Sequence, residues 1–443
     1  MKIWDKGQDT NKQIEDFTVG RDREMDMSIA RHDIIGSIAH ATMLESIGLL
    51  TKDEMYLLVH ELKALLHEVE NNKFRIEDGI EDVHSQVEHL LTEKLGDVGK
   101  KIHSGRSRND QVLLDLKLYF REQIEIIVTS INELFACLQE RSEEHKNIII
   151  PGYTHLQIAM PSSFGLWFGS YAESLIDDVT MFKAAYTIAN QNPLGSAAGY
   201  GSSFPLNREM TTSLLGFKEI SYNVVYAQMS RGKTEKAMAA AMSSTASTIN
   251  KLATDVCLYM SQNFDFMALP VEMTTGSSIM PHKKNPDVFE LLRAKTNRLT
   301  SLPNELSMMT NNLPSGYFRD YQLLKEVLFP AIEELKSCID ICRFGMQNVL
   351  VREDIISESK YDPIFSVEEV NRLVQKGTPF RDAYKQVAIK IDKGDYKPTK
   401  KVLHTHAGSI GNLCTELIKN KMESQISSFP FKRCNLAISQ LIK

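Results

Sequence analysis

Apolar residues along this chain recur mostly at the spacing of amphipathic helices. Residues 109–145 contain neither Gly nor Pro, and their apolar positions recur at intervals of three, four or sums of these: Val112, Leu116, Tyr119, Ile127, Ile131, Leu134 and Leu138. Three further stretches with helical spacing are residues 233–268, 286–311 and 320–351. Few segments alternate apolar and polar residues as a half-buried strand does. The pattern predicts a mostly α protein built around long helices.

Each of these helices has a feature that indicates its place. A helix over residues 109–145 would be roughly 50 Å long at 1.5 Å per residue. Residues 233–268 are rich in Ala and Ser, and a helix that is small or apolar nearly all round belongs in the middle of a bundle. Pro286 suits the first turn of the third helix, and Pro330 predicts a kink in the fourth. Several helices have apolar residues on more than one face, so we expect bundles from several subunits to pack together.

The composition indicates the size and the location of the protein and gives no sign of a nucleic-acid or membrane partner. With 443 residues the chain can bury a large core, and length alone suggests two or three domains. Charged residues make up 24% of it, the formal net charge is −6, and the two signs are interspersed, which gives no electrostatic case for a nucleic acid or a membrane. Residues 1–15 lack the apolar segment of a secretion signal, and no run of about 18 apolar residues occurs. We therefore expect a cytoplasmic protein.

The cysteines and paired histidines give no metal site. The six cysteines are scattered through apolar helical segments, so we interpret them as reduced core thiols. Cys338 and Cys342 are one helical turn apart, but no histidine or second cysteine pair lies near them in the sequence. His404 and His406 alternate in a polar segment, which is typical of solvated side chains. We predict no bound metal.

The most distinctive segment is residues 276–287, which read Gly-Ser-Ser-Ile-Met-Pro-His-Lys-Lys-Asn-Pro-Asp. Gly276 permits unusual backbone angles, while Pro281 and Pro286 restrict the loop and bias it away from helix. A hydroxyl such as that of Ser277 beside the cation of Lys283 suits proton abstraction with stabilisation of developing negative charge. The alternative is a merely polar connection between helices. The pattern favours an ordered catalytic loop that closes over an anion.

Three segments resemble the fumarase/aspartase superfamily, and one of them points to a single branch. The loop matches the superfamily form Gly-Ser-Ser-x-Met-Pro-x-Lys-x-Asn. Residues 103–111 read His-Ser-Gly-Arg-Ser-Arg-Asn-Asp-Gln, which resembles the segment that distinguishes the argininosuccinate lyase family. Residues 151–157, Pro-Gly-Tyr-Thr-His-Leu-Gln, are similar to a third superfamily segment and lie between the other two. The implied reaction is a β-elimination that releases fumarate and arginine.

The resemblance also implies an architecture. It suggests an N-terminal helical domain over residues 1–105, a central long-helix domain over 106–357 and a small helical domain over 358–443. It implies a homotetramer with a twenty-helix core, in which segments of three subunits form each active site. No metal or organic cofactor is implied, and the substrate is the small molecule argininosuccinate.

The elimination needs three chemical roles, which the resemblance assigns to five residues. A base takes the carbon-bound proton, donors hold the doubly charged aci-carboxylate, and an acid protonates the leaving nitrogen. The resemblance implies Ser277 as the base, Lys283 and Asn285 as the donors, and His155, oriented by Glu290, as the acid. From the residues alone, His155 fits a helix-start histidine equally well, and Glu290 fits a solvated helical carboxylate better.

A second set of residues is expected to bind the substrate. Arg106 and Arg108 are two residues apart and present guanidinium groups suited to carboxylates, and Asn109 adds an amide. The alternative role of Asp110 is a purely structural pairing with one of these arginines. The resemblance adds six binding residues: Asp82, Thr154, Arg231, Tyr317, Gln322 and Lys325.

The chain departs from the family pattern at four positions. Asp22, in Gly20-Arg21-Asp22 before Asp26, stands where the family usually has a serine. Met160, Gly232 and Tyr384 replace a glutamine, an aspartate and a histidine. Asp22 would repel the carboxylate at the arginine end of the substrate if it faced the pocket. Two alternatives therefore stay open: a sibling lyase acting on another succinylated amine, such as adenylosuccinate or aspartate, and a structural homologue without activity.

Overall fold

The computed structural model describes residues 12–443, and these residues are mostly helical. Most of the segment predicted to lack a secretion signal lies outside the described residues. Six helices form the N-terminal part: α1 (Lys12–Val19), α2 (Asp22–Asp26), α3 (Ala30–Ser46), α4 (Lys52–Glu70), α5 (Val83–Leu95) and α6 (Asp97–Lys100). Eight form the central part: α7 (Arg108–Glu144), α8 (Phe164–Ala189), α9 (Arg208–Leu214), α10 (Val224–Met229), α11 (Lys233–Tyr259), α12 (Asp287–Leu299), α13 (Leu302–Thr310) and α14 (Leu323–Asn348). Four complete the chain: α15 (Ser366–Gln375), α16 (Phe380–Asp392), α17 (Thr415–Ser427) and α18 (Phe431–Ile442).

The longest helix, α7, sets the frame of the molecule. Its 37 residues begin at a capping box, in which the Ser107 hydroxyl and the Asp110 carboxylate satisfy backbone N–H groups of the first turn. The predicted helix over residues 109–145 is confirmed. At 1.5 Å per residue, α7 is about 55 Å long. We call its two ends the Arg108 end and the Glu144 end.

Hydrogen bonds between helices fix their directions relative to α7. The Ser142 hydroxyl donates to the carbonyl of Gly165 at 2.7 Å and the Lys117 ammonium donates to the carbonyl of Ile188 at 3.5 Å, so α8 runs antiparallel to α7. The helix α14 is parallel to α7. In the middle of the two helices Lys336 donates to Gln123 at 3.0 Å, and at their carboxyl ends Arg141 donates to the carbonyl of Val349 at 2.5 Å. The amino end of α14 therefore lies at the Arg108 end.

A ladder of polar contacts along α8 fixes the direction of α11. The Tyr171 hydroxyl donates to Asp255 at 2.7 Å, and the Ser244 hydroxyl donates to Asp178 at 2.5 Å. The helix α11 is thus antiparallel to α8, so its amino end also lies at the Arg108 end. The helix α12 then runs back along α11, because Ser243 donates to the carbonyl of Thr300 at 3.4 Å and Asn250 donates to the carbonyl of Arg293 at 2.8 Å. The loop that precedes α12 consequently lies at the Glu144 end.

Two of the predicted helices have different limits from those expected. Residues 286–311 form two helices, α12 and α13, because the chain breaks after Leu299 and Pro303 starts a new first turn. The helix α11 ends at Tyr259 and not near residue 268, where Met267–Ala268 forms a short strand. The helix α14 continues through Pro330.

Three two-stranded sheets complete the described structure. The strands β1 (Ile149–Thr154) and β2 (Gln157–Ser163) form an antiparallel hairpin. The parallel pair is β3 (Gln191–Asn192) with β4 (Glu219–Ile220), and the antiparallel pair is β5 (Met267–Ala268) with β6 (Leu350–Val351). The ring of Tyr153 in β1 packs on Phe264 at 5.2 Å between centroids. This contact places the hairpin at the Glu144 end, beside the carboxyl end of α11.

The C-terminal helices divide into two groups. The helices α15 and α16 have a small core of their own, formed by Val370, Ala383 and Val387. The helices α17 and α18 return to the main core, where Met422 and Cys434 are buried. No helix among residues 12–443 is both long and apolar enough to cross a membrane. The mostly α fold is confirmed, while the three-domain division stays a prediction.

Candidate active site

A cavity of about 190 Å³ opens at the Arg108 end. Its wall is formed by helix termini, from α2, α5, α7 and α14, and by the segments before α11 and α14. The predicted binding residues that line it are Asp82, Arg108, Asn109, Arg231, Tyr317, Gln322 and Lys325. These residues are up to 243 positions apart in the chain (325 minus 82). The fold therefore brings seven of the ten predicted binding residues to one cavity.

The amino ends of α5 and α7 meet at this cavity. Asp82 is the N-cap of α5 and accepts the backbone N–H of Ser85 at 2.8 Å. Arg108 is the first residue of α7, and its guanidinium lies 3.1 Å from both Glu81 and Asp82 and donates to the Ser85 hydroxyl at 2.9 Å. Both helix dipoles present their positive ends here, which favours anionic groups of a ligand.

Lys325 in the first turn of α14 is held by two carboxylates. Its ammonium lies 2.5 Å from Asp22 and 2.5 Å from Asp26, and the side chain is only 5% exposed. Burial opposes the charged form, but the two carboxylates outweigh it and raise the pKa of Lys325 above its usual value. The residue is therefore a fixed cation at the cavity wall.

Gln322 and its neighbour Arg319 close the cavity on the side of α1. The Gln322 amide donates to the carbonyls of Thr18 at 3.1 Å and Val19 at 2.9 Å. Arg319 donates to Glu81 at 2.6 Å. Gln322 ends a 3₁₀ turn and Lys325 lies in the following α-helix. Both residues line the cavity.

Arg231 is buried where the chain enters α11. It donates to Glu235 at 3.1 Å and to the carbonyl of Tyr321 at 2.8 Å. The next residue, Gly232, has φ +75°, and a Cβ there would lie 2.7 Å from a methyl group of Thr310. The close approach of α13 explains why glycine stands at this position.

Arg106 and Asp110 lie behind the cavity wall. Arg106 is buried and donates to the Ser37 hydroxyl at 3.0 Å. Burial lowers its pKa, although the nearby carboxylates of Asp33 and Asp110 oppose this. Asp110 accepts the backbone N–H groups of Gly195 and Ala197, both at 2.9 Å. Asp110 thus ties the glycine-rich segment 195–201 to the start of α7.

The loop of residues 276–286 lies at the other end of the bundle. Its base is closed by Thr275 and Asn285, where the Asn285 N–H donates to the Thr275 carbonyl at 2.8 Å. Above this base the side chain of Lys283 is exposed and that of Ser277 is half-buried. The Ser277 hydroxyl oxygen accepts the N–H groups of Ile279 at 3.4 Å and of Met280 at 3.2 Å. As expected, the loop leads into a helix, because α12 begins at Asp287.

The hairpin tip carries Thr154 and His155, and both side chains are exposed. His155 and Leu156 form the two-residue turn, with φ of +53° and +57°, which is typical of a type I′ hairpin. The alternative interpretation of His155 as a helix-start histidine is therefore wrong. Glu290 is also exposed, in the first turn of α12. Within residues 12–443 no hydrogen bond joins it to His155.

The two groups of predicted residues lie at opposite ends of α11. The cavity is at the Arg108 end, while the loop and the hairpin tip are at the Glu144 end. The 27 residues of α11 between them span about 40 Å. A single chain consequently does not bring Ser277 or His155 to the cavity.

Comparisons with known proteins place the chain in a family. A family model described as "Lyase" matches residues 7–300. An argininosuccinate lyase of Bacteroides fragilis is 60% identical over 442 residues, which cover 100% of this chain and 99% of the relative. Another, of Bacteroides thetaiotaomicron, is 61% identical over 431 residues, or 97% of each. The chain belongs to the argininosuccinate lyase family.

The fold of this family member extends to more distant lyases. A crystal structure of EDDS lyase in complex with formate is 19% identical and covers 98% of this chain and 94% of its own, with a TM-score of 0.76. At this identity the likeness shows a shared fold. The predicted superfamily fold is therefore confirmed.

One cavity residue, His84, was given no role from the sequence. Its Nδ1 lies 2.8 Å from Asp33 and 3.6 Å from Asp115, and both carboxylates are buried. Burial opposes the charged imidazolium, but the two aspartates outweigh it and raise the pKa of His84 to about 10. His84 is thus a cation of the cavity wall. The only sequence signal was its position two residues after the predicted binding residue Asp82.

The departures from the family pattern fall in different places. Asp22 lines the cavity, which is the position from which it was expected to repel the substrate carboxylate, but it is paired with Lys325. Met160 lies in β2 near the hairpin tip and is 40% exposed. Tyr384 is 58% exposed on α16. Of these positions, Asp22 is the one in the cavity wall.

Proposed function

We propose that this chain is an argininosuccinate lyase, which catalyses the reversible β-elimination of argininosuccinate to L-arginine and fumarate in arginine biosynthesis. Relatives of this name match nearly its whole length at about 60% identity. The structural observation that carries the proposal is the convergence of seven expected binding residues on one cavity at the Arg108 end. A volume of about 190 Å³ suits one end of the substrate.

The reaction transfers one proton from carbon and one to nitrogen. The base, Ser277 as alkoxide, takes the proton from the carbon next to the C–N bond, and the resulting negative charge spreads into the neighbouring carboxylate. Lys283 and Asn285 hold this aci-carboxylate. The C–N bond then breaks, the electron pair leaves with the guanidino nitrogen, and His155, oriented by Glu290, protonates that nitrogen. Fumarate and arginine remain, and the enzyme needs no further reactant.

The surroundings of Ser277 support its role as the base. A serine hydroxyl is a weak base, so its alkoxide must be stabilised by donors. Two backbone N–H groups already point to the Ser277 oxygen. The amino end of α12 and the Lys283 ammonium follow within the same loop, and both favour negative charge.

The separation of the two ends supports a homotetramer. The loop, Thr154 and His155 lie at the Glu144 end, about 40 Å from their own cavity at the other end of α11. A neighbouring subunit running in the opposite direction would bring its Glu144 end to this cavity. We infer that segments from three subunits complete each site, with Arg106 and Arg108 both belonging to the cavity segment. The free cysteines among residues 12–443 agree with a cytoplasmic location.

One observation favours a second candidate function. Asp22, where the family usually has a serine, faces the cavity, and this change at the substrate-binding wall favours another succinylated amine as the alternative substrate. A substrate panel separates the two functions. Faster release of fumarate from adenylosuccinate or aspartate than from argininosuccinate would support the sibling lyase.

Substitution of the adjacent serines tests the proposed mechanism. We expect Ser277→Ala to lower fumarate release from argininosuccinate by roughly 10²- to 10⁴-fold, because the general base is lost. Ser278→Ala, on the same exposed loop, is the matched control and should retain most of the activity. A folded Ser277→Ala tetramer with wild-type turnover would remove Ser277 as the base.

A further inference from the structure

The acids of the cavity wall differ in how many of their oxygens are occupied. Asp26 contacts Lys325 with one oxygen and accepts the Val83 N–H at 3.2 Å with the other. Glu81 uses one oxygen for Arg319 and the other for Arg108. All of these carboxylate oxygens are therefore engaged within the wall.

Asp82 and Asp22 complete the set. Asp82 uses one oxygen for the backbone and hydroxyl of Ser85 and the other for Arg108. Asp22 has only the contact of its Oδ1 with Lys325, at 2.5 Å. Its Oδ2 has no hydrogen-bond partner within residues 12–443. Among the four acids that line the cavity, Asp22 alone offers a free acceptor to a ligand.

The charge around this acceptor favours a cation. Lys325 is one cation between two carboxylates, those of Asp22 and Asp26, so the corner they form carries an excess of one negative charge. An ammonium ion has three donors. Those of Lys325 have two carboxylate partners, which leaves one donor for a ligand carboxylate. The corner therefore presents an open anion and an open donor side by side, as an α-amino acid requires.

We propose that Asp22 binds the α-ammonium group at the amino-acid end of the substrate, beside Lys325, whose place at the substrate the family resemblance already implies. The proposal rests on the proposed function and adds a residue that selects for the free amino acid. The repulsion expected between Asp22 and the α-carboxylate is offset by Lys325, which lies between Asp22 and Asp26. Asp22 thus contributes specificity and is not a defect of the family site.

The environment of Asp22 predicts how its contribution depends on pH. Burial raises the pKa of Asp22 to about 6, and Lys325 opposes this while Asp26 and Asp82 add to it. These are the charged groups that face it from α14, from its own helix and from the N-cap of α5. The carboxylate is ionised above about pH 6 and neutral below. Attraction of an ammonium group should therefore weaken as the pH falls through this value.

Binding of three guanidino compounds to the tetramer tests the proposal. The probes are arginine, 5-guanidinopentanoate, which lacks the ammonium group, and agmatine, which lacks the carboxylate. Asp22→Asn should weaken the binding of arginine and of agmatine by roughly 10- to 100-fold, because a charge-assisted hydrogen bond is lost. Binding of 5-guanidinopentanoate should change by less than about twofold by the same reasoning. Glu24→Gln, an exposed acid on the same helix, is the matched control.

The outcomes separate this inference from the proposed function. Equal weakening of arginine and 5-guanidinopentanoate in Asp22→Asn would show that Asp22 only holds Lys325, and would overturn the proposal. If this variant fails to fold, the wild type suffices: its preference for arginine over 5-guanidinopentanoate should rise with pH through about 6, and a flat preference would overturn the proposal. If the wild-type protein does not cleave argininosuccinate, that result would instead contradict the proposed function.

Discussion

Two inactive variants with damage at opposite ends of the bundle should complement each other. The loop residues 276–284 are closed at their base by Thr275 and Asn285, so even a fully extended tip reaches only about 17 Å, at about 3.5 Å for each of some five residues. The cavity of the same chain lies about 40 Å away, at the other end of α11. A site that uses both must therefore combine two chains. Ser277→Ala damages the loop, and Arg108→Gln damages the cavity.

The arithmetic of mixing gives the expected recovery. If the proposed tetramer forms from equal amounts of both variants, half of the loops and half of the cavities are intact, so about one site in four has both. Chains with two different tags, expressed together and purified through both tags, should show about a quarter of wild-type fumarate release, while each variant alone shows very little. A mixture of Ser277→Ala with Lys283→Ala is the control, because one chain supplies the whole loop. No recovery with the Ser277 and Arg108 variants would refute the reasoning.

Three further predictions concern the wall of the cavity and the packing behind it. His84→Asn leaves two buried carboxylates without their cation and should lower the free energy of unfolding in urea by about 3–5 kcal/mol. The stabilisation by His84 is complete below the pKa of the unfolded imidazole, about 6.5, and is lost as the pH rises through its folded pKa of about 10, so the difference from wild type should shrink towards alkaline pH. Asp110→Asn should weaken the contact with the segment at Gly195, seen as faster hydrogen exchange there, and unchanged exchange would contradict the contact. Gly36→Ala should destabilise the protein by about 1–3 kcal/mol in urea despite the better helix propensity, because its Cβ would lie 2.7 Å from Leu114, and a gain in stability would contradict this packing.

Much of the fold could be predicted because local signals agreed with the final packing. The start of α7 follows from Ser107 and Asp110, a capping pair placed just before a long stretch with helical apolar spacing. The break between α12 and α13 was missed, although Pro303 marks it, because the apolar spacing continues across it. The end of α11 near Tyr259 depends on aromatic packing with Phe264 and Phe266, which no local spacing indicates.

The site was less predictable than the fold because its contacts join distant segments. The resemblance named Lys325 as a binding residue, but its two carboxylate partners come from α2, about 300 residues earlier in the chain. His84 becomes a cation only through Asp33 and Asp115, which are far from it in the sequence. The turn at His155 depends on the pairing of β1 with β2, whereas the residues alone also allowed a helix start.

The measurement that tests the central claim most directly is the release of products from argininosuccinate by the purified protein, with adenylosuccinate run in parallel. We predict that fumarate and arginine form in equal amounts from argininosuccinate, and much faster than fumarate forms from adenylosuccinate. A well-folded protein that releases fumarate from adenylosuccinate but not from argininosuccinate would contradict the account, and Asp22 would be the first residue to examine.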